Sequence, residues 1–148
     1  MNYGSSSLEE TQQIAAAFAK KLKGGELVAL VGQLGAGKTT FVRGVAQALG
    51  STAHVKSPTF TLLNLYPTTH KKIRQIAHAD LFRTDRTLRA YEELGLEEFL
   101  TPQTVLFIEW PQTDQTKKSS WTILFEHGKT PEERTITIQQ RGTPRLRW

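Results

Sequence analysis

Between residues 27 and 50 an apolar run enters a glycine-rich turn and leaves it as an amphipathic helix, and no other stretch constrains the fold as strongly. Leu27-Val28-Ala29-Leu30-Val31 reads as a buried strand. Residues 32–39, Gly-Gln-Leu-Gly-Ala-Gly-Lys-Thr, match G-x-x-x-x-G-K-T in full. Thr40, Phe41, Val42, Val45, Ala46 and Leu49 then form an apolar stripe at helical spacing, stopped by Gly50.

This order predicts a phosphate-binding loop. Gly32, Gly35 and Gly37 let the backbone curl so that several N–H groups point inward. Those donors, with the positive end of the following helix, suit phosphate oxygens. Lys38 is expected to reach the β- and γ-phosphates as a point charge, and the Thr39 hydroxyl to ligate Mg²⁺. The candidate cofactor-binding set is therefore Gly32, Leu34, Gly35, Ala36, Gly37, Lys38, Thr39 and Thr40, with a nucleoside triphosphate and Mg²⁺ as the expected ligands.

The chain has 148 residues, which suits one domain over 1–148. It contains no cysteine, which excludes disulfides and thiolate metal sites and suits the cytosol. The first residues carry neither a basic n-region nor an apolar h-region, and no apolar run is long enough to span a bilayer. A cytoplasmic protein without a membrane partner is expected. The net charge of +5 gathers in residues 70–72, 117–118 and 141–147. These clusters could meet RNA or an acidic protein face, and solvated loops and a tail are the plainer reading.

Residues 7–23 read as a helix, with capping-box spacing between Ser7 and Glu10 and a stripe of Ile14, Phe18 and Leu22. Thr11 falls on the inward side, where a hydroxyl could meet a nucleotide base. Residues 51–58 read as a loop and 59–66 as a strand with Phe60, Leu62 or Leu63, and Tyr66 inward. Residues 67–72 have hairpin character, and 73–80 read as the returning strand. A short acidic helix lies within 88–100, and strands follow at 104–109, 121–126 and 135–140. The fold class predicted is α/β. It is a P-loop NTPase-like three-layer fold with a mixed central sheet, its antiparallel strands lying between the P-loop helix and the Walker B-like strand.

A phosphate-binding loop needs a carboxylate near Mg²⁺, usually at a buried strand end. Val105-Leu106-Phe107-Ile108-Glu109 supplies one, and a Glu after four apolar residues is costly to bury unless paired or near a metal. Glu109 is thus a candidate for the metal or the attacking water. Asp80, after Ile76-Ala77-His78-Ala79, is a second candidate, with a helix N-cap as its plainer role. His78 shares its strand face and reads as structural by default. Lys38, Asp80 and Glu109 form the candidate catalytic set. Ser57 and Thr59, flanking Pro58, have hydroxyls suited to a loop that orders on the γ-phosphate. Trp110 is a candidate for stacking on a base or a partner, and Arg134 for reaching phosphate or adenine.

Together these segments resemble the TsaE (YjeE) family. The matching pieces are Glu10-Thr11, Gly35-Ala36-Gly37-Lys38-Thr39-Thr40, residues 55–62 around Ser57-Pro58-Thr59-Phe60, His78-Ala79-Asp80-Leu81-Phe82-Arg83, residues 94–100, and Ile108-Glu109-Trp110-Pro111. The resemblance implies an ATPase of tRNA threonylcarbamoyladenosine synthesis whose Mg²⁺ is held through Thr39 and Glu109. It implies that Asp80 supports hydrolysis and that Thr11 and Arg134 contact the nucleotide. The implied partners are the TsaD transferase and its TsaB companion, with tRNA met indirectly or weakly and the ATP cycle driving or resetting the complex. Gln33 stands where the family often has Asp, Phe82 where it often has Tyr, and Gln112 where an acidic residue is common.

Two other functions fit the same loop. A small metabolite kinase would draw its lid from Arg83, Arg86 and Arg89, which Asp85 and Glu92-Glu93 dilute. A nucleotide-gated assembly factor would need ATP binding without essential hydrolysis. A GTPase is disfavoured by the lack of N-K-x-D and D-x-x-G segments.

Overall fold

The computed structural model describes residues 1–33, 35–58, 62–82, 88–111 and 113–141. They form β1 (Asn2–Ser5), α1 (Leu8–Ala19), β2 (Leu27–Gly32), α2 (Lys38–Ala48), β3 (Leu63–Pro67), β4 (Gln75–Asp80), α3 (Leu88–Glu93), a 3₁₀ turn (Leu96–Phe99), β5 (Thr104–Glu109), α4 (Thr113–Lys118), β6 (Trp121–His127) and β7 (Arg134–Gln140). The strands make one seven-stranded sheet in the order β1-β7-β6-β2-β5-β4-β3. β2 runs parallel to β5 and β6, and β4 runs parallel to β5. β3 pairs antiparallel with β4, β6 with β7, and β7 with β1.

The sequence pattern explains the layering. Parallel strands covered on both faces read as unbroken apolar runs, and Leu27–Leu30 and Val105–Ile108 are buried throughout. Val28, Leu30, Ile76, Val105 and Phe107 face α1 and α2, together with Ile123 and Phe125 of β6. Leu27, Ala77, Ala79, Leu106 and Ile108 face the opposite side, against Tyr91 of α3 and Leu96 of the 3₁₀ turn. The result is the three-layer α/β fold with a mixed sheet that the sequence predicted. Phe18 packs edge-on to Trp121 at 5.1 Å and Phe41 edge-on to Phe125 at 5.6 Å, which seats both helices on β6.

The antiparallel β3–β4 pair lies in the chain between α2 and β5, as expected, but its edges differ. β3 begins at Leu63, and Phe60 lies outside the described residues. Leu62 precedes the strand at φ 66°, its carbonyl accepting from Asp80 N–H at 2.9 Å. α1 stops at Ala19 rather than residue 23. Ile14 is only half-buried, while Thr11, Ala15, Phe18 and Ala19 make the inward face. Small alanines there let α1 lie close to α2, so the buried stripe need not be its bulkiest one. Ser7 caps α1 by accepting from Glu10 N–H at 3.1 Å, and the Glu10 carboxylate reaches back to Ser6 N–H at 2.7 Å rather than to Ser7. The acidic segment breaks at Gly95, φ 64°, into α3 and the 3₁₀ turn. β1 and α4 carry too few apolar residues to be read from pattern. β1 exists because the β7 edge offers it backbone partners.

The close approach of the two helices depends on Gly44, where a Cβ would lie 2.7 Å from Ala15 Cβ and 3.0 Å from Gln12 Cα. Gly44→Val is expected to destabilise the protein by about 1–3 kcal/mol through overpacking. At roughly 2–4 °C per kcal/mol for a chain of this size, a thermal melt reads the effect directly. An unchanged melting temperature would show that α1 can shift at no cost.

Candidate nucleotide site

Ligands of open α/β sheets collect at the carboxyl ends of the parallel strands. β2 ends at Gly32, β4 at Asp80 and β5 at Glu109, with Asp80 and Glu109 in register and Leu30 opposite Glu109. Because side chains alternate, His78, Asp80, Phe107 and Glu109 share the face that carries α2. The helix begins at Lys38 after Gly37, whose φ of 103° only glycine adopts without strain and which offers no side-chain acceptor as an N-cap. Its first N–H groups therefore face a cavity of about 430 Å³. The lining is drawn from the loop (Gly35, Gly37, Lys38, Thr39 and Thr40), the start of α1 (Ser7, Leu8 and Thr11), Ser57, Glu109 and the turn before β7 (Pro131, Glu132 and Arg134).

Lys38 is almost wholly buried, its ammonium donating to Gly32 O at 2.6 Å and lying 4.0 Å from the centroid of the Trp110 ring. Burial lowers its pKa below 10.5, and the nearby Glu109 and Asp80 charges oppose that shift only in part. The Thr39 hydroxyl donates to Glu109 Oε1 at 3.2 Å. His78 Nε2 meets the same oxygen at 2.9 Å. Asp80 is buried, and its Oδ1 accepts from Phe82 N–H at 2.8 Å, which closes a tight turn at the end of β4. Arg134 Nη2 donates to Gly35 O at 3.0 Å, tying β7 to the loop.

Residues 5–136 match the family model described as the threonylcarbamoyl adenosine biosynthesis protein TsaE. The chain belongs to the TsaE family. It is 41% identical over 136 residues to the tRNA threonylcarbamoyladenosine biosynthesis protein TsaE of Bacillus subtilis, covering 90% of this chain and 82% of that protein. It is 44% identical over 107 residues to the protein of the same name from Rickettsia bellii, covering 72% and 71% of the two chains. A crystal structure of Bacillus subtilis YdiB matches the fold with a TM-score of 0.75 at 30% identity, over 96% of this chain and 86% of that one.

In this TsaE-family chain three segments far apart in sequence meet around the loop. Thr11 lines the cavity, its hydroxyl 2.7 Å from Ser5 Oγ of β1. Ser57 reaches the cavity edge. Its neighbourhood is pinned by the Tyr66 hydroxyl, which donates to Lys56 O at 2.9 Å, and by Arg43, which donates to Val55 O at 3.1 Å. Arg134 is more than a surface arginine, since its donors also engage the carbonyls of Pro131 and Glu133. Gly32 and Ala36 stand behind the cavity, Gly32 offering its carbonyl to Lys38 and Ala36 fully buried. Leu34, Thr59, Arg83, Arg86 and Gln112 lie outside the described residues.

Trp110 does not line this cavity. It adopts φ 56°, a strained value for a bulky residue, and lies against Phe82 at 4.8 Å between ring centroids. Its ring backs Lys38 and borders a second cleft formed by Val31, Gln33, Pro111, Leu124 and His127. Sequence reading missed Ser7, Leu8, Pro131 and Glu132, which reach the cavity only because α1 and the turn before β7 converge on the loop. It also left unread that Lys71 and Lys72 join Lys20 and Lys23 around a basic cleft at the amino ends of the strands, away from the phosphate loop. No helix among the described residues is long and apolar enough to cross a membrane.

Proposed function

We propose that this protein binds ATP with Mg²⁺ at the 32–39 loop and hydrolyses it slowly. That cycle serves N6-threonylcarbamoyladenosine formation on tRNA in the cytoplasm by driving or resetting a TsaB–TsaD transferase complex. The observation that carries the reading is the convergence of Lys38, Thr39 and Glu109 at the N-terminus of α2. The residues fit the ligand. The loop N–H groups and Lys38 would hold phosphate oxygens, and Thr39 with Glu109 offers the oxygen donors that Mg²⁺ prefers. Bound Mg²⁺ supplies neutralisation of the charge that develops on the phosphoryl oxygens.

Glu109 faces the cavity and is the carboxylate best situated to accept from a water beside the phosphates. Asp80, one strand over, adds negative charge that favours the ammonium form of Lys38 against its desolvation. Thr11 and Arg134 flank the cavity at the side away from Glu109's strand, where a base and ribose would lie. Arg134 is already engaged by three backbone carbonyls, so a built-in arginine finger is not expected, and turnover alone should be slow.

The test is nucleoside mass spectrometry of tRNA from cells depleted of the protein. A selective fall in threonylcarbamoyladenosine, restored by re-expression, is expected. Unchanged modification in a strain with no second copy would leave a nucleotide binder of another pathway. Phosphorylated product on incubation with ATP and small-molecule acceptors would then favour a kinase.

A further inference from the structure

We propose that His78 is a positioning residue: it holds the Glu109 carboxylate on the Thr39 hydroxyl and thereby sets how strongly a divalent cation joins the bound nucleotide. The proposal rests on reading the site as a Mg²⁺–nucleotide site. His78 sits in β4 opposite Phe107, two residues before Glu109 on the same face of β5. It is fully buried, and its Nε2 lies 2.9 Å from Glu109 Oε1. A carboxylate that serves a cation only accepts, so on this reading Nε2 donates to Glu109. Thr39 donates to the same oxygen, and both Thr39 and Glu109 line the cavity.

The other ring nitrogen shows what the histidine is for. Nδ1 is buried and has no hydrogen-bond partner among the described residues. A histidine present for packing alone would satisfy both nitrogens or give way to an apolar ring, since Phe107 is paired with it and Tyr66 lies 6.2 Å away. One polar atom left unpaired in the core is a cost, and among the described residues the polar contact that offsets it is the one to Glu109. Without that anchor Glu109 has a competing attraction to Lys38, whose charge it favours. A Glu109 carboxylate turned toward Lys38 would leave the Thr39 hydroxyl, while Lys38 keeps its place on Gly32 O.

Calorimetry of ATP binding to the full chain, with EDTA and with Mg²⁺, tests this through His78→Leu and His78→Gln. In the wild type Mg²⁺ should tighten ATP binding. His78→Leu should lose about 10-fold or more of that enhancement, with metal-free affinity changed by no more than about twofold. His78→Gln, whose amide can donate near the Nε2 position, should recover most of it. An undiminished enhancement in folded His78→Leu overturns the proposal. So does an equal loss with and without Mg²⁺, which would mark a purely structural role. No enhancement in the wild type would instead remove the Mg²⁺ reading itself. If His78→Leu does not fold, long-range ¹⁵N–¹H spectra of the wild type decide. A protected Nε2–H signal that shifts in Glu109→Ala is expected, and a proton on Nδ1, or a signal blind to Glu109→Ala, overturns the assignment.

Discussion

Lys38→Met is expected to weaken triphosphate binding by at least about 100-fold while raising the melting temperature of the nucleotide-free protein. The first effect follows from removing a charged donor to two phosphates, at about 1.5–3 kcal/mol per charge-assisted hydrogen bond. The second follows from burial. Lys38 is only 4% exposed, and its pKa is pushed below 10.5 by desolvation. A buried ammonium whose folded pKa is lowered is less favourable in the fold than in the unfolded chain. Its cost is full below the folded pKa and fades as pH rises from there toward 10.5, because the unfolded state binds more protons across that interval. The stability advantage of Lys38→Met should therefore be largest at neutral pH and shrink at alkaline pH. Calorimetry and melts at two pH values measure both arms. Unchanged affinity would refute the phosphate role. A lower melting temperature would mean that the contacts to Gly32 and Trp110 outweigh desolvation.

Glu109→Gln should leave metal-free ATP binding within a few-fold of wild type and cut hydrolysis by about 10²–10⁴-fold, the range for loss of a positioned proton acceptor. The amide is isosteric and its oxygen can still accept from Thr39, so folding is not at issue. Single-turnover assays measure the rate. The same variant separates two functional readings when it replaces the wild type in cells. Lost tRNA modification with ATP binding retained argues that hydrolysis is the working step. Retained modification argues for a nucleotide-gated assembly factor in which turnover is incidental. A full hydrolysis rate would move the chemistry to Asp80, whose carboxylate lies in register with Glu109 and already holds the Phe82 N–H.

The elements around the loop were legible because their signals are local and dense. β2, α2 and β5 combine apolar runs or stripes with glycine punctuation, and β4 and β7 were found to within about two residues. Elements at the periphery were not. β1 has one buried residue, Ser5, and forms only because β7 presents a free edge. α4 is a polar turn-length helix with no stripe. On α1, Phe18 and Leu22 of the predicted stripe are buried and Ile14 packs at the edge of the core, but the inward Ala15 carries too weak a hydrophobic signal to be read, and Gly44 on α2 leaves room there for nothing larger than a methyl group.

The sequence alone determined the phosphate loop, the carboxylates at two strand ends and the layered α/β class, since each is written within a few neighbouring residues. It also carried the family resemblance, through motifs at set separations. Only the tertiary structure decided that the Thr11 and Arg134 segments close the cavity, that Trp110 backs Lys38 instead of lining it, and that His78 bonds the carboxylate Thr39 also uses. Those outcomes depend on strand order and register, which bring together groups 31 to 99 positions apart in the chain. A pattern of neighbours cannot encode such distances, because sheet pairing is chosen by the burial of the whole core.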